Sequence, residues 1–202
     1  MGLIYRMMRQ KCRSLRRMFQ KLFPLRMTIE TLRGGWHDSD EQILHANFQI
    51  LVNYVEKECA WMNIVFSSDE WNELPLIQRL YLACGGTLRS RRHGTKYLQW
   101  ESDLRDDNGK PTPQATTAKQ IYDLYWWWTI VRPKRVDPYS KIEIGADPAW
   151  WGNNEPLTDE QKHQHDLWVK QADAANLLEE QYYQEDTDQL KKLMDLRSSL
   201  WT

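Results

Sequence analysis

From Thr158 to Thr202 the sequence contains neither proline nor glycine, so nothing in its backbone chemistry stops a helix once one has begun. Thr158 followed by Gln161 has the capping-box pattern that starts such a helix. Two outcomes are open: one very long helix, or two helices parted near Glu185-Asp186-Thr187. The break is the favoured expectation, because Asp186 can cap a second helix bearing Leu190, Leu193, Leu196 and Leu200. Only 16 residues of 202 are Ile or Val, which leaves long strands poorly supplied and points the rest of the chain toward helices as well.

The other helix signals follow in order. Residues 3–23 have no helix breaker, and Pro24 closes them. Ile4, Met8, Cys12, Leu15, Phe19 and Leu22 fall on one arc, with Arg6, Arg9, Arg13, Arg16, Arg17 and Lys21 opposite and only Lys11 intruding. Gly34-Gly35 breaks the chain. Asp38 and Glu41 read as an N-cap box for a second helix to about Glu58, with Ile43, Leu44, Phe48, Leu51, Val52 and Val55 at core spacing. Ser67 and Glu70 open a third, lined by Trp71, Leu74, Ile77, Leu80 and Tyr81, divided by Pro75 and stopped by Gly85-Gly86. A fourth runs from about Gln114 to Val131, where Arg132-Pro133 ends it. Residues 85–113 and 133–157 read as long irregular connections, the former with room for a short hairpin through Tyr97 to Leu104 and a turn at Asn108-Gly109. The expected fold is mainly α, with five to six helices. A basic amphipathic N-terminal helix (1–27) precedes a single helical domain (28–202).

Composition enters through charge. The formal net charge is −1, which excludes a globally basic nucleic-acid coat and a globally acidic DNA mimic. The near-zero sum hides alternating blocks: +8 over residues 1–35, −6 over 36–84, +5 over 85–135 and −8 over 136–202. Three cysteines (Cys12, Cys59, Cys84) without a Cys-x-x-Cys pair argue against a disulfide framework or a cysteine zinc site, and fit a reducing compartment. Nothing approaches the apolar length of a membrane span or a secretory signal.

Two stretches resemble a group of uncharacterised proteins of tailed bacteriophages. One is Glu185-Asp186-Thr187 with Leu190, Leu193, Arg197 and the terminal Leu200-Trp201-Thr202. The other is Tyr122 to Trp128 followed by Arg132-Pro133, Arg135 and Asp137-Pro138; Gly35-Trp36 with Asp38-Ser39-Asp40 is a third, weaker likeness. The resemblance covers under a third of the chain. It implies a phage origin and an accessory rather than a core replication role, and it carries over no catalytic or binding residue.

Catalytic and metal patterns are wanting. No phosphate-binding glycine loop, dinucleotide fingerprint or nucleophile elbow occurs. His163 and His165 sit about 200° apart on a helix, which does not make a metal pair. Asp103 to Gly109 lacks oxygen ligands at the first and last positions of a calcium loop and reads as a turn. Glu70, Asp123 and Asp137 lie near aromatic clusters, where burial can raise a carboxyl pKa, with a solvated carboxylate as the plain reading. No cofactor, metal or catalytic residue is expected.

The candidate binding residues are basic and aromatic. Arg89, Arg91, Arg92 and Lys96, with His93, form a compact basic loop able to grip phosphates or to pair with the chain's own acidic blocks. Trp126, Trp127 and Trp128 span too much of a helix to face one core, so one or two belong inside. The remainder meets a loop such as Trp150-Trp151, or forms a stacking surface beside Arg132, Lys134 and Arg135. The leading expectation is a non-enzymatic accessory protein of the host cytoplasm that binds a host or phage protein. The alternative is nucleic acid or an anionic membrane surface held through Arg6, Arg9, Arg13, Arg16, Arg17 and Lys21, aided by the 89–96 segment.

Overall fold

The apolar stripe that begins at Leu44 builds the central rod. The computed structural model describes residues 28–32, 34–83, 86–140 and 158–200. The expected helix 3–23, Cys12, Cys84, Trp150, Trp151 and Trp201-Thr202 lie outside the described residues. Helix α1 comprises Ser39–Asn53, a π-helical segment Tyr54–Cys59 and Ala60–Phe66 in unbroken succession, a full turn and more beyond the expected end at Glu58. Leu44, Phe48, Leu51, Val52 and Val55 are buried as their spacing requires, whereas Ile43 is exposed. Asp38 occupies the N-cap position without a side-chain cap bond, and Glu41 is engaged by His37 instead.

Ser67 accepts the Glu70 amide at 3.4 Å and starts the short α2 (Ser68–Glu73). Pro75 separates it from α3 (Leu76–Ala83), as the sequence predicts. The expected loop over 85–113 is corrected: α4 (Arg91–Ser102) fills most of it, with the Ser90 hydroxyl accepting the His93 amide. No hairpin covers Tyr97 to Leu104. The Asn108-Gly109 turn does form, closed by a single bridge between Arg105 and Pro111. The Asp106 carboxylate accepts the amides of Asn108 and Lys110 at 2.9 and 2.8 Å, so the acidic run is a turn and not a cation loop.

Thr112 caps α5 (Pro113–Trp126), which continues as a π-helical segment Trp127–Val131 and a 3₁₀ turn Arg132–Lys134. The expected break in the last helix is also corrected. Helix α6 runs uninterrupted over Asp159–Leu196, about 57 Å at the standard rise. Its Thr158–Gln161 capping box is formed. The described residues are mainly helical, in six rods, and contain no strand.

The core collects α1, α4, α5 and the C-terminal part of α6 around Phe48, Leu51, Val55, Leu98, Ile121, Tyr125, Trp128 and Leu193. The α1–α4 contact is unusually close. A Cβ on Gly94 would lie 2.0 Å from the Val55 carbonyl oxygen, so only glycine permits the approach. The π turn of α1 makes the contact productive: π hydrogen bonding leaves a carbonyl without its usual partner, and the Glu56 carbonyl accepts the Ser90 amide at 2.7 Å.

Candidate functional site

The basic residues of 89–96 stand at the N-terminus of α4, turned onto acidic residues of other elements. The Glu56 carboxylate, buried in α1, accepts from Arg89 and from the Tyr125 hydroxyl, the latter at 2.6 Å. Arg91 donates to that hydroxyl at 2.8 Å and lies 3.7 Å from Glu56. Arg89 also holds Glu30, whose carboxyl is kept below its ordinary pKa by that bond. Burial, joined by the Glu56 charge, pushes the Tyr125 phenol up. All four basic candidates here, Arg89, Arg91, Arg92 and Lys96, keep solvent exposure.

Beside this network, the Glu70 carboxylate on α2 bonds Lys96 and accepts from His93 Nε2 at 2.9 Å, while His93 Nδ1 meets Ser90 Oγ at 2.7 Å. Glu70 is buried but not raised. Lys96, then His93, hold it below the ordinary carboxylate range against the opposing effect of burial. The serine–imidazole–carboxylate line resembles a proton relay, yet Ser90 Oγ is the helix cap and Glu70 is neutralised by Lys96. Its structural work is to fasten α4 to α2. Asp123 is exposed and paired with Lys119 at 3.0 Å, and Asp137 closes a turn onto the Tyr139 amide.

The two motifs that suggested a phage origin meet in space. Arg132 donates to Asp186 at 3.0 and 3.2 Å, and Arg135 reaches Asp186 and Glu185 at 2.7 Å each. Trp127 Nε1 donates to Glu185 at 2.7 Å. The Arg132 guanidinium lies 4.8 Å from the Trp128 ring, and that of Arg135 lies 5.4 Å from Trp127 and 4.7 Å from Tyr182. The π segment at Trp127 lets both neighbouring rings enter the core. Trp128 stacks on Phe48 at 4.4 Å and 12° between planes, while its Nε1 is buried without a hydrogen-bond partner. Trp126 stays on the surface, stacked on Tyr122. These contacts explain why Asp186 does not cap a helix: its carboxylate is held by two arginines across the interface.

His45 completes the seam. Buried in α1, it packs edge-on to Trp128 at 4.8 Å. Its Nε2 lies 3.4 Å from Arg132 Nη1 and its Nδ1 lies 2.7 Å from Thr31 Oγ1. Arginine can only donate, so Nε2 accepts and the proton sits on Nδ1. Burial, then the Arg132 charge, lowers the imidazole pKa to about 4.

A second, apolar surface open to another molecule lies on α3 and at the end of α1. Helix α3 turns Leu76, Ile77, Leu80 and Tyr81 to solvent with exposures of 65%, 80%, 57% and 53%, and Phe66 at the end of α1 is 77% exposed. Beside Phe66 lie an open groove of about 650 Å³ lined by Met62, Asn63, Tyr97 and Trp100, and another of about 380 Å³ lined by Val65, Trp71 and Asn72. Asn63 Nδ2, in the larger groove, is buried without a partner. The sequence marked Ile77, Leu80 and Tyr81 as a helix face but did not mark them as unburied; only their exposure in the structure reveals that.

Among the described residues, no three His, Cys, Asp or Glu side chains are placed to hold a metal ion, and no helix is long and apolar enough to cross a membrane. No protein-family model, curated protein sequence or solved structure matches the chain.

Proposed function

We propose that this chain is a non-enzymatic accessory protein of a tailed bacteriophage that acts in the host cytoplasm by binding another protein. The observation that carries this reading is the exposed apolar face of α3, formed by Leu76, Ile77, Leu80 and Tyr81. Apolar side chains that share a helix arc and stay in water are costly in a monomer and mark interaction surfaces. Acidic Asp69 and Glu73 on the preceding α2 are exposed, and the grooves beside Phe66, lined in part by Trp71, Tyr97 and Trp100, suit side chains of an incoming helix. The partner's matching element is therefore an amphipathic helix with an apolar stripe and basic flanks.

The alternative, nucleic acid or an anionic membrane surface, is supported by the basic arc from Arg6 to Lys21. In its auxiliary segment Arg89 and Lys96 pair with Glu30, Glu56 and Glu70, while Arg89, Arg91, Arg92 and Lys96 all keep solvent exposure. The test is capture of partners from infected host lysate by the full chain and by an Ile77→Asp, Leu80→Asp variant. A specific protein retained by the parent and lost by the variant, with unchanged circular dichroism, is the expected result. Equal capture by both chains would overturn the assignment. Retention on low-salt liposomes or DNA, abolished by deleting residues 1–27, would favour the alternative.

A further inference from the structure

We propose that the groove between the last turns of α1 and α4 is the partner's anchor site: it takes one aromatic side chain of the partner, and Asn63 donates to a backbone carbonyl beside that ring. The inference rests on the protein-binding reading above and adds where the partner is gripped and by what chemistry.

Helices α1 and α4 meet at Val55 and Gly94. Further along the same two helices, Met62, Asn63 and Phe66 of α1 and Lys96, Tyr97 and Trp100 of α4 line the open groove of about 650 Å³. That volume lies within the range of clefts that take a small ligand or a single large side chain. Its rings are available: Phe66 is mostly exposed and Trp100 is 59% exposed. They are also braced, Trp100 against Tyr97 at 5.7 Å and Phe66 edge-on to Trp61 at 6.5 Å. Exposed rings held around a concavity select a flat apolar guest, which makes an aromatic side chain the natural anchor.

The polar groups narrow the choice. Among the described lining residues only Lys96 carries a formal charge, and Glu70 answers it. The groove therefore suits a neutral guest. A nucleobase also presents a ring and a carbonyl, but its phosphate would find only a lysine that is already engaged. Asn63 supplies the second requirement, since its Nδ2 is shielded from water and has no hydrogen-bond partner among the described residues. A shielded donor left unpaired is costly, and a guest that brings a carbonyl removes the cost. In a helix only the last turn has carbonyls to spare, so the anchor belongs to the C-terminal turn of the partner's helix. The smaller groove shares Phe66 and Ser68 with this one and is walled by Val65 and Trp71, which gives a neighbouring apolar side chain of the partner its place.

The experiment uses the full chain labelled with 5-fluorotryptophan and nitrogen-15. Trp100→Phe assigns the fluorine signal, and Asn63→Leu assigns the side-chain amide. The probes are N-acetyl-tryptophanamide, N-acetyl-leucinamide and adenosine monophosphate. The expected result is that the tryptophan amide, at millimolar concentration, shifts both signals and binds about tenfold tighter than the leucine amide. Asn63→Leu should weaken it about threefold to tenfold, with unchanged circular dichroism. No response, equal affinity for the two amides, or full affinity in Asn63→Leu overturns the proposal. Tighter binding of adenosine monophosphate makes the site a nucleotide pocket and also overturns it. Lysate capture by Trp100→Ala separates this inference from the reading beneath it. If the tryptophan amide binds as expected, yet no captured protein is sensitive to Trp100→Ala or Ile77→Asp, the groove stands and the binding function falls. If capture is lost in Ile77→Asp but kept in Trp100→Ala, the function stands and the anchor site falls.

Discussion

His45 shows how one side chain couples the core to pH. Its imidazole is neutral because protonation would place a second cation beside Arg132 in a buried position, next to Trp128. The folded-state pKa, about 4, lies below the ordinary value of 6.5, so the unfolded chain binds the proton more readily between those limits. Stability is therefore complete above about pH 6.5 and is lost as pH falls toward 4, by roughly 2–3 kcal/mol. Urea midpoints measured from pH 7 to pH 4 should fall more steeply in the parent than in His45→Asn, whose amide can still donate toward Thr31. Asp186 and Glu41, which stand near His45, are present in both proteins, so the comparison isolates the imidazole. Parallel slopes would show that His45 is not the coupling group. The sequence sets His45 directly after Leu44 of the core stripe. It gives no hint of Arg132, which is 87 residues away.

Helix α4 is where local and tertiary preferences part. Its first turn is cationic, which opposes the helix dipole, and glycine sits at its fourth position. Read locally, that composition argues for a loop. The helix exists because Glu56, Glu70 and the freed Glu56 carbonyl answer its N-terminal charges and the Ser90 amide from other elements. Helices α2, α3 and α5, by contrast, follow from Ser67, Pro75 and the Thr112–Pro113 start, signals that act within a few residues. Gly94 yields a prediction of unusual sign. In an exposed helix, glycine to alanine stabilises by up to about 1 kcal/mol. Here the new methyl meets the Val55 carbonyl, so Gly94→Ala should destabilise by about 1–3 kcal/mol in denaturant titration. A stabilised variant would mean that the two helices part more readily than this contact implies.

Across the whole molecule, alternating charge is an assembly code rather than a polyelectrolyte signature. The positive block at 85–135 is held between two negative ones: its front half pairs with Glu56 and Glu70, its end with Glu185 and Asp186. The second junction fixes the C-terminal part of the long α6 onto the end of α5, and holds Asp186 within the helix where it would otherwise favour a cap. Removing one partner there leaves two arginines facing tryptophan rings without their carboxylate. Asp186→Asn should therefore cost about 2–3 kcal/mol, below the loss at a fully buried pair because Arg132 and Asp186 retain some solvent contact. Arg132→Leu combined with Asp186→Leu removes both charges and should lose less than the two single changes together. Urea unfolding of the parent, both single leucine variants and the double variant measures that coupling directly. Additive losses would mean that the pair merely coexists at the interface. A positive coupling energy identifies the junction as the contact that lets one chain bury opposite charges in register.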